Sequence, residues 1–115
     1  MKRGDVYLAT LDPRSGSEEK GRRPVIVVSH DGFNESPGWR SVIVVPVSTS
    51  VAQTRRGPTA IHLPKGAGGL GRESVALCHQ VTTLDRTKLT KQLGILPESH
   101  LSAVGEGLKI AQDLP

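Results

Sequence analysis

Apolar and polar positions alternate from residue 4 to residue 11, with Val6, Leu8 and Leu11 set against polar or small neighbours, and this predicts a first strand. Two later runs do not alternate. Pro24 to Val28 and Ser41 to Val47 are β-branched and apolar almost throughout, the composition of central strands. Residues 12–22 hold Pro13, Ser15, Gly16 and Ser17 among several charges without any period, which predicts a mobile surface loop. Asp31-Gly32-Phe33-Asn34 and Ser36-Pro37-Gly38 signal consecutive turns between the second and third strands.

Beyond Ser48 a second polar loop, residues 49–57, carries Arg55 and Arg56 and leads into a strand from Thr59 to Leu63. Residues 65–71 contain four glycines in seven positions and read as a flexible turn. They lack the Lys-Ser/Thr pair and the strand-loop-helix setting of a phosphate cradle. Further strands are predicted at Ser74 to Cys78, Gln80 to Thr83 and Gln92 to Leu96, with a short turn or helix from Asp85 to Leu89. Leu101, Val104, Leu108 and Ala111 fall on one face at helical spacing after Pro97, so the C-terminus is helical. Gly105 and Gly107 cost that helix about 1 kcal/mol each against alanine, so it depends on tertiary packing. The expected fold is mainly β with one C-terminal helix, a small, strongly bent β-barrel in a single domain spanning residues 1–115.

Composition adds three constraints. Hydrophobic residues make up 36% of the chain and aromatics 3%, a thin core that burial in a homodimer would supplement. A net charge of +4 favours a polyanionic partner without identifying one. Cys78 is the single cysteine, which excludes an internal disulfide and a cysteine metal cluster, and its apolar neighbours mark it as a core residue. No apolar run approaches the roughly 18 residues of a membrane span and no signal peptide is recognised, so a cytoplasmic protein without membrane contact is expected.

Two strand ends carry candidate chemistry. Arg23 precedes Pro24, which restricts its backbone to extended geometry, and a guanidinium can grip two phosphate oxygens at once. The plainer reading pairs Arg23 with Glu18 or Glu19. Ser48 ends a strand in which Pro46 interrupts ladder pairing, so an edge or bulged position is expected there. Read alone, Ser48-Thr49-Ser50 is a turn. No nucleophile elbow surrounds it, which argues against acyl chemistry. His30, His62, His79 and His100 form no acid–base couple recognisable in the sequence, and His79 is the reserve candidate, expected on a strand beside Gln80.

Taken in order, Arg3-Gly4-Asp5-Val6-Tyr7, Gly16-Ser17-Glu18, Gly21-Arg22-Arg23-Pro24-Val25, Val45-Pro46-Val47-Ser48-Thr49, Glu73-Ser74-Val75 and Gln80-Val81-Thr82-Thr83-Leu84-Asp85 make the chain resemble the MazF/PemK toxins, nearly end to end. The resemblance implies an SH3-like barrel of the CcdB/MazF/PemK type, a homodimer, and the toxin half of a type II toxin–antitoxin system. It implies an mRNA interferase that cuts single-stranded RNA at specific sequences, with no metal or other cofactor, tRNA and rRNA being further targets. The RNA 2′-hydroxyl would attack, leaving a 2′,3′-cyclic phosphate and a 5′-hydroxyl, and translation and growth would stop. Arg23 and Ser48 correspond to the family's catalytic pair. Serine stands where threonine is commoner, and a one-place offset would make Thr49 the acting hydroxyl. Glu18, Lys20, Arg22, Ser50, Arg55, Arg56 and Gln80 are the expected RNA contacts. A cognate antitoxin is the expected protein partner, and DNA would be met only through the antitoxin complex. The alternative keeps the barrel and makes it a CcdB-like poison of DNA gyrase without RNase activity; a non-catalytic nucleic-acid-binding barrel is a third reading.

Overall fold

The structure, a computed structural model, describes residues 1–11, 16 and 21–115. Its strands are β1 (Asp5–Thr10), β2 (Arg22–Val27), β3 (Ser41–Ser48), β4 (Ala60–Leu63), β5 (Ser74–Leu77), β6 (Thr82–Asp85) and β7 (Leu89–Ile95). Its helices are the single-turn α1 (Asp31–Asn34) and the long α2 (Glu98–Gln112). Every strand pairing is antiparallel, in the order β4-β5-β3-β2-β1-β7, with β6 also bonded to β3.

The long apolar β3 organises this sheet. One flank pairs with β2; the other pairs with β6 along residues 41–44 and with β5 at Val47 and Ser48. Pro46, which has no N–H to donate, stands in the gap between those two partners. It therefore lies inside the sheet, where one ladder hands over to another, rather than at an edge. The handover follows from the turn Cys78–Gln80, which separates β5 from β6 and delays β6 to Thr82, two residues past its expected start. Among the described residues no ladder joins β4 to β7, so the sheet is bent without closing into a hydrogen-bonded barrel.

Alternation along the strands sorts side chains onto two faces. One carries Val6, Ile26, Val45, Val47, Leu63 and Cys78, and α2 lies over it with Val104 and Leu108. The other carries Ala9, Val25, Val42, Val44 and Leu84, continued by Ala60, Val75 and Leu77. Cys78 is fully buried, and burial pushes its thiol up to about 12, consistent with an unreactive core residue. No described helix is long and apolar enough to cross a membrane.

The glycine-rich stretch is a packing element rather than a loose turn. Gly69, at φ +79°, lies so close to β7 that an added Cβ would stand 1.9 Å from the Leu93 carbonyl oxygen. A Cβ on the facing Gly94 would stand 2.6 Å from the backbone of Gly68. Gly107 in turn lets α2 settle on the sheet, since a Cβ there would reach within 2.8 Å of Cys78 Sγ. The connection from β2 to β3 is held from the far side of the chain: Arg86 donates to the carbonyls of Trp39 at 2.9 Å, Asn34 at 2.9 Å and Phe33 at 3.2 Å.

Candidate active site

Arg23 is half-buried near the start of β2 and pairs across the sheet with Ala9. The β2–β3 ladder ends at Val25 opposite Pro46. Two places further along each strand come Arg23 and Ser48, and strands that continue in register set them opposite one another. Cross-strand neighbours share a face, so both belong to the face turned away from α2. Adjacent strands run about 5 Å apart, within reach of an arginine side chain. On its other flank Ser48 pairs with Val75 of β5. Tyr7, opposite Val25, lies on the same face, and its phenol is raised by burial and by Asp5, which keeps it protonated.

Ser48 is 3% exposed, whereas Thr49 is exposed. The Ser48 hydroxyl accepts from the Ser50 backbone N–H at 3.1 Å and from the Gln53 side-chain amide at 2.8 Å. Both donors belong to the chain just beyond β3, where Ser50 leads into a 3₁₀ segment, Val51–Arg56. That segment begins at Ser50 because the Gln53 N–H returns to the Ser50 carbonyl at 3.0 Å. Thr49 is next in the alternation and belongs to the opposite side. The structure thus sets Ser48 on the arginine's face and leaves Thr49 at the surface beyond the strand.

The remaining candidates scatter. Glu18 and Lys20 lie outside the described residues. Arg22 is exposed and alternates to the face opposite Arg23. Ser50 is exposed at the head of the 3₁₀ segment, and Arg55 and Arg56 are exposed at its end. Gln80 is half-buried in the Cys78–Gln80 turn, whose Cys78 packs under α2, and it is not in the Arg23–Ser48 row. His79 belongs to the same turn rather than to a strand, with Nδ1 3.3 Å from Thr59 Oγ1.

Two pairings escaped the sequence. His62 Nε2 is 2.6 Å from Glu73 Oε2, an acid–base couple built by the β4–β5 hairpin. Gln53, which no motif marks, is bonded to Ser48 because the 3₁₀ segment folds back. His30 is instead a helix cap, its Nδ1 accepting from the Gly32 N–H at 2.8 Å. Among the described residues no group of three or more His, Cys, Asp or Glu side chains converges as a metal site would need.

An arginine and a hydroxyl on one face of adjacent sheet strands are an arrangement suited to a phosphodiester. Over residues 2–111 the chain matches the PemK-like, MazF-like toxin of type II toxin–antitoxin systems, and it belongs to that family. The endoribonuclease MazF of Staphylococcus epidermidis is 35% identical over 114 residues, 99% of this chain and 92% of that protein. MazF from Deinococcus radiodurans (Form-I) superposes with a TM-score of 0.81 at 25% identity, covering 99% of this chain and 97% of that one. The Deinococcus radiodurans MazE-MazF structure (Form-II) gives 0.74 at 26% identity, covering 100% and 97%. The gyrase-poison alternative gains no observation in its favour.

Proposed function

We propose that this toxin is an endoribonuclease that cuts single-stranded RNA at specific sequences, without metal, by transesterification. The 2′-oxygen attacks the adjacent phosphorus, the bond to the 5′ oxygen breaks, and a 2′,3′-cyclic phosphate and a 5′-hydroxyl result. A proton is lost from the 2′-hydroxyl and one is gained by the departing 5′ oxygen. Substrate must be single-stranded, because bases are read on edges that pairing hides.

Arg23 holds the non-bridging oxygens as their charge grows. A guanidinium remains protonated, so it acts by charge and orientation rather than as a base. Hydrogen bonds to charged groups contribute roughly 1.5–3 kcal/mol, and one preorganised donor is worth about 100-fold or more in rate. Ser48 supplies a second hydrogen bond to the same phosphate. Arg55, Arg56 and Ser50, with Glu18, Lys20, Arg22 and Gln80, are the proposed wider RNA contacts. The observation that carries this reading is the placement of Arg23 and Ser48 on one face of neighbouring strands.

The protein acts as a cytoplasmic homodimer, held inactive by a cognate antitoxin; the MazE-MazF structure from Deinococcus radiodurans supports a protein partner for a toxin of this fold. A mixed-sequence transcript incubated with the purified protein in chelator tests the reaction. Sequencing of the new termini should find 5′-hydroxyls clustered at one short motif. An intact transcript, or 5′-phosphate ends, would defeat this reading.

A further inference from the structure

A serine hydroxyl has one proton to give and two lone pairs to fill. Both lone pairs of Ser48 are filled from the segment that follows it, by Ser50 N–H at 3.1 Å and by Gln53 Nε2 at 2.8 Å. The first contact comes with the backbone turn and would survive any side chain. The second does not. Gln53 is only half-buried, on a short 3₁₀ segment at the surface, where its amide could be satisfied by water. It is aimed inward at a hydroxyl instead. With its lone pairs engaged, Ser48 retains one freedom, the direction of its O–H, and no described side chain or carbonyl takes that proton.

We propose that Gln53 is a positioning residue for RNA cleavage: by donating to Ser48 Oγ it commits that oxygen as an acceptor and turns the Ser48 proton toward the scissile phosphate. The inference rests on Ser48 being the acting hydroxyl. Gln53 itself forms no bond to substrate, and Ser48 stays protonated throughout, giving a hydrogen bond to a non-bridging oxygen. Two N–H donors on one hydroxyl also polarise its O–H, and such chains strengthen each bond by about 10–30%.

Replacement chemistry follows from the inventory of donors. Leucine at position 53 removes the donor and lets the O–H rotate. Glutamate matches glutamine in shape but only accepts when ionised, so it would draw the Ser48 proton to itself and away from RNA. A residue that merely fills a buried bond would tolerate that reversal, since a hydrogen bond survives it. A positioning residue would not.

The test compares wild type, Gln53→Leu, Gln53→Glu, Ser48→Ala and the Ser48→Ala/Gln53→Leu double variant. Initial rates of 5′-hydroxyl end formation on a mixed-sequence single-stranded transcript give kcat and KM. Melting temperatures confirm folding. Gln53→Leu and Gln53→Glu should each lower kcat by about 10- to 100-fold, the scale of a misdirected catalytic group, with KM within about twofold of wild type. In the Ser48→Ala background Gln53→Leu should add no further loss. Wild-type kcat in both Gln53 variants, with Ser48→Ala inactive, would overturn the inference and leave Ser48 in place. Full activity in Ser48→Ala would overturn both. Retained kcat in Gln53→Glu alone would also sink it, because a donor at 53 would then be unnecessary; that variant serves as well if the leucine variant fails to fold.

Discussion

Ser48 and Thr49 are chemically near neighbours, and their surroundings separate them. Ser48 closes β3 on the face of Arg23 with its oxygen already engaged, whereas Thr49 is exposed past the strand end. Thr49→Val should therefore leave transcript cleavage within about threefold of wild type, while Ser48→Ala costs about 100-fold or more, the worth of one preorganised donor. A large loss in Thr49→Val with an active Ser48→Ala would exchange the two assignments. Arg23 and Ser48 could be picked out in the sequence because each sits where an apolar run meets polar residues. Gln53 could not, since its bond to Ser48 depends on a 3₁₀ turn that brings its amide back to the strand. Glu73 and His62 were hidden for a related reason: hairpin register, not sequence spacing, makes them a couple.

At the level of elements, the apolar runs predicted strands well because β-branched stretches have few other ways to bury themselves. Boundaries were missed at β7, which starts at Leu89 rather than Gln92, and at β6, where two strands compete for one partner. β5 and β6 share a single flank of β3, so the chain spends Cys78–Gln80 on a turn between them. The glycines misled more. Composition alone makes four glycines in seven residues a loose turn, but Gly68 and Gly69 are held against Leu93 and Gly94 at distances no other residue permits. Gly69→Ala must move a backbone carbonyl and adopt a positive φ, and should destabilise by about 3 kcal/mol, at the upper end of overpacking costs. Gly71→Ala, where nothing lies within 4 Å of an added Cβ, should change stability by less than about 0.5 kcal/mol. Urea denaturation midpoints compare the two. Equal midpoints would return residues 65–71 to the status of a flexible turn.

Across the whole molecule, the register of β2 and β3 carries Arg23 and Ser48 onto one face of the bent sheet, and α2 packs on the reverse face. The family was legible because its motifs occur in order along nearly the full chain, and the match over residues 2–111 agrees. Closure was not legible, since whether a sheet's edges meet depends on twist accumulated over seven strands rather than on any local pattern. What that architecture is for can be read from a double-mutant cycle on cleavage rates with Arg23→Ala, Ser48→Ala and the pair together. Groups that grip one phosphate act as a unit. Each single variant should lose about 100-fold or more, and the double variant little beyond the worse of the two. Losses that multiply, or an Arg23→Ala protein that cuts at the wild-type rate, would show that the two side chains do not serve a common phosphate.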